Sequence, residues 1–321
     1  MQAQGTRSYI AIQKETSFAT NPSSPNLVKV PFLSESLSRS IELIDNTHIR
    51  GDRSSSTPVR GNTDVSGNIS LNLGAYPGQL LLGVMGSVTT TDNLDGSYSH
   101  TMKVGSTLPS FTVEKAFPDI SQYILYQGCK ISKMSLTASP SGFQQASFDI
   151  MGAKATASGT SFDSTPTELT DAAFDGFRIT SLLEGGSSVT NVTEVTLDID
   201  NGLDGDTFVI GGNGQRGSLN EGLVKVTGTL NGFFENLSLY NKAVNQTETS
   251  LKLTYAFGDG DGTAGNESLV IEMPEVLFSA ACPPIDGPRG IYLSLNFVAY
   301  LGNAVTDSSV LMTLKNTQET I

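Results

Sequence analysis

The chain has 321 residues, about twice the ~150 residues typical of one domain, so it has room for a sizeable core. Its 32 acidic and 19 basic residues give a net charge of −13 and are outnumbered by 71 serines and threonines. That balance excludes a basic stripe for gripping nucleic acid and argues against long Glu- and Lys-clad helices. No apolar run approaches the roughly 20 residues of a membrane helix, and residues 1–14 lack the apolar stretch of a signal peptide, so neither is expected.

Taken in chain order, alternating apolar and polar residues predict strands with one buried face at 65–73 (VSGNISLNL), 111–115, 130–136, 146–151, 192–199 (VTEVTLDI), 223–230 (LVKVTGTL), 251–257, 269–273 and 291–300. Turns are expected at the Gly/Asp clusters 93–96 (NLDG), 202–206 (GLDGD) and 258–262 (GDGDG), where positive φ angles are needed. Helical spacing appears only at 77–85 and 236–244. The fold class is therefore all-β with one or two short helices.

An internal repeat emerges from the order of these elements. Val65-Ser66-Gly67-Asn68-Ile69 precedes the first helix as Val226-Thr227-Gly228-Thr229-Leu230 precedes the second. After each helix comes a strand (98–104 in the first half, 251–257 in the second), then another, then a closing one. The closing strands align as ASFDIM (146–151) against LSLNFV (293–298). Residues 153–170, rich in Ser, Thr, Gly and Pro, read as a linker between the halves.

Catalytic and binding motifs are thin. His48 and His100 have no second His or Cys at ligand spacing, so neither a metal site nor a nucleophile–base couple is expected. Asp259-Gly260-Asp261-Gly262 opens like a calcium loop but lacks its continuing ligand rhythm, and reads as a turn. The Gly-rich 211–217 stretch lacks the Lys and the strand-to-helix context of a phosphate cradle and reads as a mobile loop. Cys129 and Cys282 are expected as free thiols, and the aromatics at 111, 117, 123 and 126 as packing residues. The five Asn-x-Ser/Thr triplets are no more than this composition yields by chance.

Several stretches taken together resemble the tail tube (major tail) proteins of long-tailed, non-contractile bacteriophages. They are IQKETSF (12–18), 34–53 followed by 61–73, LPSFTVEK (108–115), 126–134, LYNKA (239–243), LVIEMPEVLF (269–278) and LMTLKNTQ (311–318). The resemblance implies a small β-sandwich or barrel with one flanking helix, and the internal repeat makes it two such tail-tube-type domains in one chain. The expected layout is an N-terminal arm at 1–30, a first domain at 31–154 with a long stacking loop at 43–61, a linker at 155–172, and a second domain at 173–321.

It also implies a structural, non-enzymatic virion tail protein without cofactors, assembled in the host cytoplasm into stacked homo-oligomeric rings. Trimers with pseudo-sixfold symmetry are favoured over hexamers, because each chain would supply two tube folds. The implied partners are a tape-measure protein, tail terminator and tail-tip proteins, and genome DNA that passes through without specific binding. Arg50, Arg53 and Arg60 of the loop become candidates for inter-ring contacts with an otherwise acidic surface. Asp149, Asp198 and Asp200, which alternate with apolar neighbours, become candidates for an acidic lumen wall. A different virion surface or decoration protein and a fibrous β-rich adhesin are the alternatives. A sugar-binding module is disfavoured because the chain has no Trp.

Overall fold

Strands dominate as the alternation predicts: the described residues hold 19 of them and two short α-helices, and the pairings between these strands are antiparallel. The structure is a computed structural model describing residues 2–76, 78–169, 172–280, 282–285, 287–302 and 305–321. Pro77, at the head of the expected first helix, and Thr170 and Asp171, in the expected linker, lie outside the described residues.

The first half runs β1 (Tyr9–Lys14), β2 (Val28–Val30), β3 (Ser34–Glu35), β4 (Ser38–Ile44), β5 (Val59–Asn72), α1 (Gly78–Met85), β6 (Gly86–Asp92), β7 (Tyr98–Val104), β8 (Phe111–Phe117), β9 (Gln122–Ala138), β10 (Gln145–Gly152) and β11 (Lys154–Ser158). The second runs β12 (Ile179–Glu184), β13 (Ser187–Ser188), β14 (Val192–Asp200), β15 (Lys225–Phe233), α2 (Ser238–Val244), β16 (Thr249–Ala256), β17 (Ser268–Ala280), β18 (Tyr292–Ala299) and β19 (Leu311–Asn316).

The long strands β9 and β17 each pass from one layer of a β-sandwich to the other. The first part of β9 pairs with β8 and β11, and its second part with β10 and β14. Likewise the first part of β17 lies between β16 and β19, and its last residues pair with β18. In both halves the closing strand sits between the strand before the helix and the long strand: β10 between β5 and β9, β18 between β15 and β17.

Registers match residue for residue. Ile150 faces Gly67 and Phe148 faces Ile69 in the first half; Phe297 faces Gly228 and Leu295 faces Leu230 in the second. The two glycines are required by close approach. A Cβ on Gly67 would lie 2.4 Å from the Leu37 Cα, and one on Gly228 would lie 2.0 Å from the Thr196 carbonyl oxygen and 2.4 Å from the Phe297 ring.

One expected correspondence is corrected. The strand at 98–104, read as the counterpart of 251–257, is β7, which pairs with β6 and with β19 of the other half. The place of β16 is taken by β8: each pairs with a long strand on one side and with β1 or β12 on the other. The β6–β7 hairpin thus extends the second half's layer, and β9–β14 pairing joins the two halves in the other layer.

A single apolar core follows, running from Ile10 and Ile12 through Phe148 and Leu197 to Met312 and Leu314. Helix α1 (GQLLLGVM) is buried on nearly every side, as its all-round apolarity demands, whereas α2 (SLYNKAV) buries only Ala243. Phe174 stacks on Tyr255 and Phe257 at 5.3 and 5.1 Å.

Candidate assembly surface

Antiparallel pairing lays eight strands side by side in the order β4, β5, β10, β9, β14, β15, β18, β17. Because side chains alternate across a sheet, Phe148, Ile150, Leu197 and Ile199 point into the core and Asp149, Asp198 and Asp200 to the opposite face. That face is mostly hydroxyl and amide: Asn68, Ser70, Ser147, Ser135, Thr196 and Thr229 neighbour one another across the strands.

The structure brings the three predicted acids together around one cation. Lys133 faces Asp149 on one side and Asp200 on the other, and its Nζ lies 3.0 Å from Asp198. The hydrogen bond to Asp198, with the pull of Asp149 and Asp200, raises the Lys133 pKa above its ordinary value, although desolvation opposes it. Partial burial pushes the Asp198 carboxyl up, but the Ser135 hydroxyl and Lys133 outweigh it and leave it below the carboxylate norm. Asp149 accepts from Asn68 Nδ2 at 2.7 Å, and Asp200 from the Gly202 amide at 2.8 Å. The cluster therefore carries less negative charge than three free acids would.

Each end of the eight-strand run exposes an edge. Among the described residues β4 pairs only with β5, and all seven of its residues are exposed. Beyond Val276, β17 pairs with β18 on one side, and among the described residues no strand pairs with its other side. Unpaired edges of this kind are templates for another strand.

The expected stacking loop at 43–61 is the 45–58 connection of the β4–β5 hairpin together with the exposed strand ends that flank it. Arg50, Arg53 and Arg60 are all exposed. Arg50 lies 3.8 Å from Asp52, and Arg60 donates to the Thr63 hydroxyl at 3.1 Å, so the described contacts of both stay within the hairpin.

The Gly-rich 211–217 stretch, expected as a mobile loop, is docked against the first half. Arg216 pins it: Nε donates to Gly205 O at 2.6 Å, Nη1 donates to Gly152 O at 2.9 Å and Val65 O at 3.2 Å, and Nη2 pairs with Asp64. Nearby, the Thr63 amide donates to Gly214 O at 2.7 Å, and Lys130 bridges Leu219 O and Glu221. This docking and the two open edges were not singled out from the sequence. The one available signal was a lone arginine among glycines, which is weak.

The turn at 258–262 has positive φ at Gly258, Gly260 and Gly262. Cys129 is buried and Cys282 exposed, both free. Tyr126 is a packing residue whose hydroxyl donates to Leu37 O at 2.9 Å. His100 is buried between Thr90, Asn316 and the Gln318 carbonyl. Among the described residues no group of three or more His, Cys, Asp or Glu could hold a metal ion, and no helix is long and apolar enough to cross a membrane.

A family described as phage tail tube protein matches residues 5–299. No curated protein matches the chain.

Proposed function

The chain belongs to the phage tail tube protein family, and from that premise we propose that three copies close into a ring in which each contributes two tube units to one continuous inner sheet. It is a structural protein of the virion tail, and the family assembles with itself into a tube. The observation that carries the finer reading is the β9–β14 pairing, where the first half's long strand meets the second half's leading strand edge to edge. The edges of β17 and β4 are the counterparts of that pair, and a second copy would join them in the same sense. Head-to-tail contacts of this kind close into rings when the rotation permits, and closure removes the exposed edges.

The units would be the domains at 31–154 and 173–321, joined through 155–172 and preceded by an arm at 1–30. Rings would stack, with Arg50, Arg53 and Arg60 reaching the acidic surface of a neighbouring ring. The face bearing Asp149, Asp198 and Asp200 would line the channel, where fixed cations would retard DNA through salt-sensitive phosphate contacts. A hydroxyl-rich wall with Lys133 neutralised avoids that brake. A tape-measure protein in the channel, terminator and tip proteins at the ends, and assembly in the host cytoplasm complete the proposal on the family's architecture.

A cryo-EM reconstruction of the assembled protein tests it. The expected map has threefold symmetry with both halves in the inner sheet. True sixfold symmetry with one half per chain lining the channel would overturn it. Assembled tubes should also leave duplex DNA unshifted in a mobility assay at physiological salt, and a net-positive lumen would refute the sliding mechanism.

A further inference from the structure

The two halves share more than strands. β3 and β4 match β14 at a constant offset, Ser34–Ser40 on Glu194–Asp200, because Ser38 and Arg39 face Ser66 and Val65 as Asp198 and Ile199 face Thr227 and Val226. The stretch 41–63, made of the last residues of β4, the 45–58 connection and the first residues of β5, is therefore the counterpart of 201–224, at 23 residues against 24. Thr47 falls on Thr207 and Gly51 on Gly211, and both glycines have a φ of +83°.

The 201–224 connection is docked. It fills the gap beyond the end of β10, where β5 continues with β4 on its other side, through Gly214 O on the Thr63 amide and Arg216 on the Val65 and Gly152 carbonyls. The counterparts of Thr63, Val65 and Gly152 are Val224, Val226 and Ala299. These line an open groove of about 790 Å³, with Leu223 (81% exposed) and Leu301 at its rim. The 41–63 stretch, meanwhile, leaves Leu43 (67% exposed), Ile49 (100% exposed) and Val59 in solvent. It cannot reach the groove of its own chain along the same path: β4 and β15 are five strand steps apart, about 24 Å at the usual spacing.

We propose that the 41–63 stretch of one copy lies in the Val224–Val226–Ala299 groove of the next copy in the same ring. The Ser54 carbonyl accepts from the Val224 amide, as Gly214 does from Thr63, and Ser56 takes the place of Arg216. The inference rests on the ring reading above and adds a lateral role for the loop, leaving the exposed Arg50, Arg53 and Arg60 to meet the neighbouring ring.

The test is Ser54→Cys with Val224→Cys in a Cys282→Ser background, since Cys129 is buried. Assembled protein is treated with a short bis-maleimide and run on a denaturing gel. The expected result is a ladder ending at three linked chains. A ladder continuing past six places the loop between rings and overturns the lateral contact while the ring stands. Tubes that form without cross-links overturn the groove as its site. A ladder ending at six overturns the ring of three itself, and the proposal with it. Independently, Leu223→Asp at this exposed position should leave the monomer's melting temperature unchanged and slow tube formation at least tenfold; unimpaired assembly would refute the docking.

Discussion

Arg216 is the sharpest test of how the second half is fastened to the first. Its side chain is 8% exposed, and its Nη1 hydrogen bonds reach carbonyls of both β5 and the end of β10. Arg216→Ala removes the Nε bond to Gly205 O within its own connection and two Nη1 bonds to buried carbonyls, these two worth about 1.5–3 kcal/mol each in mutational series. Water entering the vacated space recovers part of this. The Asp64 partner is 42% exposed, so the ion pair itself adds only a few tenths of a kcal/mol.

The net expectation is about 3 kcal/mol of destabilisation, or roughly 6 °C in Tm at about 2 °C per kcal/mol for a long chain. Urea and thermal unfolding followed by circular dichroism measure it, and Arg216→Lys should recover only a minority, because an ammonium cannot reproduce the planar fork. Burial raises the Asp64 pKa, but Ser66 and Arg216 together hold it below its ordinary value of 3.8. A depressed folded pKa stabilises above the unfolded value and loses that stability as pH falls through the folded one. The alanine variant should therefore show a shallower loss of stability below about pH 4. A loss under about 0.5 kcal/mol for Arg216→Ala would refute the view that this side chain locks the connection down.

Gly228→Ala places a methyl carbon 2.0 Å from a carbonyl oxygen, and should cost at least about 3 kcal/mol, near the upper end of overpacking effects, or abolish soluble expression; a Tm within 2 °C of the parent would contradict the close approach. Burial lowers the His100 pKa from 6.5 despite its bonds to Gln318 and Asn316, so the folded chain resists protonation. Stability should be full above about pH 6.5 and fall as pH drops toward the folded pKa, a dependence that His100→Gln should remove in pH-dependent urea titrations. Replacing Arg50, Arg53 and Arg60 together by Ser should leave the monomer's Tm within 1 °C and reduce tube yield in negative-stain images; an unchanged yield would take the loop out of ring stacking. Tubes of the parent should form more readily as salt rises, since like charges are screened over about 8 Å at physiological ionic strength, and light scattering that falls with salt would argue against charge repulsion as the brake.

Much of the fold was legible because a half-buried sheet imposes a period of two on its sequence. β8, β10, β14, β15, β16 and β18 coincide with the alternating stretches to within a few residues, while β5 begins six residues before its stretch. The apolar α1 and the glycine turn at 258–262 were equally plain, since each depends on local chemistry. β9 was read only in part, at 130–136, because Tyr126, Gln127, Gly128 and Cys129 are all buried and the alternation vanishes where the strand passes between layers. β4 escaped notice because all its residues are exposed, and β12 because its first five are at most half-buried.

Only part of the repeat could be read along the chain: the β5–β10 and β15–β18 pairs, each with a closely approached glycine at Gly67 or Gly228, match in sequence, whereas 98–104 does not take the place of 251–257. The pairing of β7 with β19 and of β9 with β14, the gathering of Asp149, Asp198 and Asp200 around Lys133, and the anchoring of 211–217 by Arg216 were decided only in three dimensions. Each joins residues tens to hundreds of positions apart. Alternation tells which face of a strand is buried, but which edge meets which is set by the packing of the whole sheet.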